Sequence, residues 1–476
     1  MTAPASTLTL ISTASTAVRS GSTAGWQLGV LYGPAVYGVS AAAVALPDAA
    51  THLHANAAGL AWILTAYAAG VGVGAVTAGR LTDLWGTRRV LLSAAALLTL
   101  GALICAVAPT LNTVVIGRVL LATGSGAVMA AALASTARLP AAHRRASMAA
   151  FGACMAGFAA TAPLAGALAA HWSWRAALIL PVLSIAAIPS CWSHSAPRTQ
   201  HDRLDWPGAG LLAAVAAGLL LTAQTAPHTS ALTTAILAAA TAAAALGLTA
   251  RTRIHPGGFL TRGILSAGWF HKATIIGAGV YAGLFAVLYT APHLLNQQGY
   301  STMQIGVLLL PGAVIGAALA RLAALAARRL SARHVLAAVS VILAATMLNA
   351  AITPRPWTIV AAATAAFTAS AITQMLLTAH VTAHTAVESR GGVSGLLTLA
   401  TFLGGGCGTA LCATLWQTWG PAAALAVVAI APALGALAAR RLRSAHQPDA
   451  STPVWCANSR GSQAAPTGSP TPCAPG

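Results

Sequence analysis

Charge is what this sequence lacks most. Of 476 residues only 7% are Asp, Glu, Lys or Arg, against roughly a quarter in a soluble domain, whose surface must be solvated. A water-soluble globule is excluded, and lipid becomes the principal solvent. Acidic residues are scarcest: Asp48, Asp83, Asp202, Asp205, Glu388 and Asp449 are all there are. They form no metal-binding acidic pair, and no serine–histidine constellation or phosphate loop accompanies them. Gly404, Gly405 and Gly406 lie in an apolar run, where helix packing explains them. An enzyme is therefore not expected.

Cysteine and aromatic residues are also sparse. Seven cysteines are scattered without metal-ligand or disulfide spacing. Cys105, Cys154, Cys407 and Cys412 sit inside apolar runs, where a thiol acts as a small hydrophobe. Aromatics make up 5%, and the apolar mass is Ala, Leu, Val and Gly, small residues that let membrane helices approach closely. No metal and no cofactor is expected.

What the chain has in abundance is long apolar runs. Fourteen windows reach the length of about 20 residues needed to cross the hydrocarbon core. Six lie between residues 28 and 193, two between 208 and 250, and six between 273 and 439. Residues 1–27 are Ser/Thr/Ala-rich with one charge, Arg19. They lack the charged start and cleavage site of a secretory signal and read as a cytoplasmic tail.

The net charge of +19 would suit nucleic acid, but its placement argues otherwise, because the cations lie in short gaps between apolar runs. With the N-terminus inside, the inner connections hold Arg80, Arg88, Arg89, Arg251, Arg253 and many more, and the outer ones only Arg175 and Arg355. Excess cations mark the cytoplasmic side, so both ends are expected there. Residues 444–476, rich in Pro, Ser, Gly and Thr, bury too little apolar surface to order and read as a disordered tail. The connection 251–272 is either a plain linker or a short interfacial helix around Trp269 and Phe270.

The connection between spans two and three reads Gly79-Arg80-Leu81-Thr82-Asp83-Leu84-Trp85-Gly86-Thr87-Arg88-Arg89. It resembles the cytoplasmic loop motif of the major facilitator superfamily. Gly79 and Gly86 permit a tight turn, Arg88 and Arg89 form the motif's basic pair, and Asp83 can accept from a helix N-terminus or pair with an arginine across the domain as a latch. Span four carries Arg118 before Gly124, Ser125 and Gly126, a setting the family associates with proton transfer. The alternative is an arginine snorkelling to the interface. Span five carries Gly152, Gly157, Pro163 and Gly166, the small-residue and proline pattern of superfamily exporters. Glycines permit close contact at a moving interface, and the proline bends the helix.

Further matches, among them Ala45-Leu46-Pro47, Trp172-Ser173-Trp174-Arg175 and Asp205-Trp206-Pro207-Gly208, resemble drug:proton antiporters with fourteen spans. The resemblance implies an all-α membrane fold with two six-helix bundles, 28–193 and 273–439, and two extra central helices, 208–250. It implies a monomeric secondary transporter of a bacterial plasma membrane that exports small molecules with proton coupling. A metabolite importer and a transport-inactive sensor of the same fold remain as alternatives.

The sequence departs from those antiporters in span one. They carry an Asp about seven residues before the Ala-Leu-Pro; here that position is Gly38. A buried carboxylate normally carries the proton or attracts a cationic drug, so a neutral or anionic substrate is expected. Protons would fall to His380 and His384, four residues apart on span twelve with Glu388 four further on. The same spacing suits a metal ion or simply a helix end emerging into water. Tyr37, Tyr67, Gln224, Tyr281, Asn349 and Gln374 are candidate cavity-lining groups, since polar side chains in lipid need partners or a wet cavity.

Overall fold

The computed structural model describes residues 5–139, 141–194, 205–225, 229–254, 267–326, 331–385 and 390–442. Among the described residues the secondary structure is helical throughout. Twelve segments are long and apolar enough to cross a membrane. One of them, Gly392–Arg440, is 49 residues long and turns at Gly420, where the backbone leaves helical geometry (φ 83°, ψ 174°). It therefore makes two crossings. The shorter apolar stretch Trp174–Ala187 stands at the place of the sixth span, so the path follows the fourteen expected windows.

In chain order the first bundle comprises α1 (Ala5–Val44), a short α2 (Leu46–Leu53), α3 (Ala57–Trp85), α4 (Thr87–Val107), α5 (Leu111–Arg138) and α6 (Ala141–Trp172). The sixth span is broken: α7 (Trp174–Ile179), a 3-10 turn at Leu180–Leu183, α8 (Ser184–Ala187) and a 3-10 turn at Pro189–His194. Pro181 and Pro189 cause this, since each removes an N–H from the helical ladder. The first helix begins well before residue 28, and its apolar crossing already starts at Ser22. The helix thus occupies most of the segment expected as a tail.

The extra helices are α9 (Trp206–Thr225) and α10 (Ala231–Ile254). The second bundle comprises α11 (Gly268–Gln297), α12 (Thr302–Ala326), α13 (Ala332–Ile352), α14 (Pro356–His384), α15 (Arg390–Val428) and α16 (Ile430–Arg440). Trp269 and Phe270 belong to the first turn of α11, while 255–266 and the tail 444–476 lie outside the described residues.

The bundles meet along two seams built on small residues. On one, α3 lies against α15: a Cβ at Gly72 would come within 2.7 Å of Leu399 Cδ1, and one at Gly395 within 3.1 Å of Val76 Cα. On the other, α6 lies against α12: a Cβ at Gly306 would strike the Ala167 side chain and come within 2.9 Å of the Pro163 carbonyl. Lipid supplies no hydrophobic drive between helices, so this close approach and its van der Waals contact hold them together. Thr302 Oγ1 also donates to Asp48 Oδ2 (2.8 Å) across the bundles.

Helix α9 covers the α3–α15 seam along its length. Trp206 packs on Trp85 (ring centroids 6.4 Å), Leu212 and Ala216 cluster with Val76 and Leu399, and Gln224 Nε2 donates to the Ala58 carbonyl (2.9 Å). Asp205 fixes the start of the hairpin. Its Oδ1 accepts from the Gly208 N–H (3.0 Å), capping α9, and from Arg251 Nε of α10 (2.6 Å).

Candidate functional site

The loop motif is a corner of one residue. Gly86 alone joins α3 to α4, with φ 82° and ψ 152°, a region essentially restricted to glycine. Its N–H donates to the Thr82 carbonyl (3.1 Å). Gly79 is buried, Asp83 is part-buried in the last turn of α3, and Arg88 and Arg89 are exposed on the first turn of α4. The Arg88 guanidinium lies over the Trp192 ring, 4.7 Å from its centroid, which ties the loop to the end of the sixth span.

Arg118 is fully buried, with 0% of its side chain exposed, so it does not snorkel. Its guanidinium donates to carbonyls of three separate helices: Nη2 to Gly38 on α1, Nε to Ile63 on α3 (3.1 Å) and Nη1 to Leu178 on α7 (3.0 Å). Pro181, three residues after Leu178, has no N–H to offer the preceding turn, which leaves acceptor capacity there. Tyr67 completes the enclosure. Arg118 sits over its ring, 4.2 Å from the centroid, and the Tyr67 hydroxyl donates to the Ala35 carbonyl (2.8 Å) and lies 3.0 Å from Ser125 Oγ. A Cβ at Gly38 would fall inside the Tyr67 ring. The room a carboxylate would need there is filled by an aromatic side chain.

Of the span-five residues, two mark close approach. Pro163 lies on the α12 seam, and a Cβ at Gly166 would be 2.6 Å from Ala41 Cα of α1. Gly152 and Gly157 instead face open space, with nothing within 4 Å of a Cβ at either. The same open face carries Thr161, whose Oγ1 is 2.9 Å from the Tyr37 hydroxyl.

Within the second bundle, the Tyr281 hydroxyl of α11 donates to Gln374 Oε1 of α14 (3.1 Å). Tyr37 and Tyr281 are part-exposed, one on the first span of each bundle. Tyr67 and Gln224 are enclosed, the first inside the first bundle and the second between α9 and α3. Asn349 stands near the end of α13, where its Oδ1 accepts from Thr353 Oγ1 (2.9 Å).

His380 and His384 pack together on α14, ring centroids 4.1 Å apart. Trp269 of α11 lies against both, at 5.7 and 5.4 Å, and His384 Nδ1 is 2.9 Å from the His380 carbonyl. His380 Nε2 is buried without a hydrogen-bond partner. Glu388 lies outside the described residues, among which no group of three or more potential metal ligands assembles. Trp269, Phe158, Phe402 and Thr161 were not legible as site residues, because nothing in an apolar run marks which aromatic or hydroxyl group faces inward.

The family model described as Major Facilitator Superfamily matches residues 28–409. The chain belongs to that superfamily. It is accordingly a multi-pass protein of a bacterial cell membrane. A relative in Bacillus subtilis, the MFS-type transporter YhcA, is 27% identical over 57% of this chain and 53% of its own length. The multidrug resistance protein Stp of Mycobacterium tuberculosis is 30% identical over 37% of this chain and 34% of its own. The chain thus spans about half or less of the length of these curated relatives. The human organic anion transporter MFSD10 shares the fold, with a TM-score of 0.58 at 15% identity, over 89% of this chain and 99% of its own.

Proposed function

We propose that this chain exports small molecules by alternating access, as a monomer coupled to protons, in the manner of fourteen-span drug antiporters. The observation that carries the reading is the α6–α12 seam, where Gly306 meets Pro163 and Ala167 without room for a side chain. A seam of this kind can close tightly and separate without breaking a polar network. The family resemblance in span five and the likeness to the multidrug resistance protein Stp support export.

The test is a lock between the bundles on the α3–α15 seam, where a Cβ at Gly406 would stand 3.5 Å from the Ala68 Cβ, a separation a disulfide can span. Ala68→Cys with Gly406→Cys, oxidised in proteoliposomes, is expected to reduce transport at least about tenfold, and reduction to restore it. Undiminished flux in the verified disulfide form would defeat alternating access here. Accumulation by inside-out vesicles, rather than by right-side-out ones, establishes direction.

Proton coupling rests on His380 and His384, the imidazoles that pack together on α14, His380 with its Nε2 buried and without a hydrogen-bond partner. Expected for His380→Gln with His384→Gln is loss of the pH dependence of transport, with the protein still folded. A profile identical to the parent's would remove these histidines from the mechanism.

A further inference from the structure

Each bundle contributes the same three-part feature to the interface. On the first, Tyr37 of α1 lies against Phe158 of α6, ring centroids 5.4 Å apart and planes at 56°, with its hydroxyl on Thr161. On the second, Tyr281 of α11 lies against Phe402 of α15, centroids 5.5 Å apart and planes at 56°, with its hydroxyl on Gln374. α1 and α11 are the first spans of their bundles. α1 and α11 contact each other directly, and Tyr32, which precedes Tyr37 on α1, packs with Tyr281 against one buried cluster, so the two features stand together at the junction of the bundles. All of these rings are part-exposed, and Thr161 is exposed.

From this matched pair we infer a substrate site that takes uncharged, ring-bearing molecules carrying a hydrogen-bonding group, an inference that rests on the transporter reading above. The polar inventory supports it. Thr161 Oγ1 donates to the Gly157 carbonyl (2.9 Å), so Tyr37 donates to Thr161 and leaves its own oxygen as an acceptor. Gln374 accepts from Tyr281 and leaves its amide as a donor. One wall accepts and the other donates.

No countercharge is at hand. Among the described residues every acidic side chain stands at a helix end: Asp48 on α2, Asp83 in the last turn of α3, Asp205 ahead of α9. A cation would leave water for a site without a carboxylate, a cost that ring faces offset only in part. It would also meet the field of Arg118, whose guanidinium bonds the carbonyl of Gly38, the residue after Tyr37. An anion gains no direct partner, because three carbonyls and the Tyr67 ring enclose the guanidinium.

The test compares probes on the full chain in lipid nanodiscs, measuring saturable binding above empty discs. N-phenylnaphthylamine is uncharged, anilinonaphthalene sulfonate adds a negative charge to the same skeleton, and ethidium is a cation. The uncharged probe is expected to bind saturably and at least about tenfold more tightly than the other two. Tyr281→Ala and Phe158→Ala are each expected to weaken it about tenfold, roughly one aromatic pair's contribution, at an unchanged thermal midpoint.

Equal or tighter binding of ethidium or the sulfonate to the parent protein overturns the inference, and so does full affinity in both folded variants. The probe comparison on the parent needs no variant to fold. Saturable binding without transport of the probe in proteoliposomes would count against the exporter reading alone and leave the site standing.

Discussion

Arg118→Ala is expected to yield no stable transporter. The substitution leaves three buried carbonyls on α1, α3 and α7 without the guanidinium that joins them. A hydrogen bond to a charged group contributes about 1.5–3 kcal/mol, and a buried acceptor left unsatisfied costs about 1–3 kcal/mol. A membrane bundle held otherwise by van der Waals contact has little to set against that. Arg118→Lys is expected to recover little, because one ammonium cannot match a planar fork aimed at three helices. The measurement is the monodisperse fraction after extraction and the thermal midpoint of what remains. A parent-like midpoint for Arg118→Ala would show that the knot does not hold the first bundle.

The second large effect concerns Gly38 and Tyr67. Restoring the acid that drug antiporters carry, by Gly38→Asp, is expected to damage this protein rather than improve its coupling, since the new Cβ would enter the Tyr67 ring. The ring cannot swing aside cheaply: its hydroxyl holds Ala35 and Ser125, and Arg118 lies on its face. Overpacking of this kind costs about 1–3 kcal/mol, and Tyr67→Ala alone costs about 3–5 kcal/mol through its cavity. Combined, the two are expected to be less harmful than their sum by at least about 1 kcal/mol, because they share one volume. Strict additivity across the four thermal midpoints would mean that the ring and the glycine do not compete for space.

The spans themselves were legible because lipid demands long apolar runs, and the corner at Gly86 because a tight turn demands glycine. The surroundings of Arg118 were not. Its acceptors are backbone carbonyls 55, 60 and 80 residues away, and every residue has a carbonyl, so no side-chain pattern announces them. The sequence did show an intramembrane arginine without an acid, which leaves a neutral or anionic substrate open; only the three-dimensional enclosure shows that the guanidinium is taken up by backbone carbonyls. Tyr37, Tyr281 and Gln374 could be read as polar groups in apolar helices, but their partners Phe158, Phe402 and Thr161 lie too far along the chain for periodicity to pair them. Likewise, the extra helices were evident as windows, whereas Gln224 could not be seen to tether α9 to Ala58.

That tether gives the molecule two unlike flanks. Among the described residues, protein walls off the α3–α15 seam from the bilayer, while no further helix lies over the α6–α12 seam. A compound dissolved among the acyl chains therefore meets the junction of the bundles from one lateral direction only, past Gly306 and Pro163.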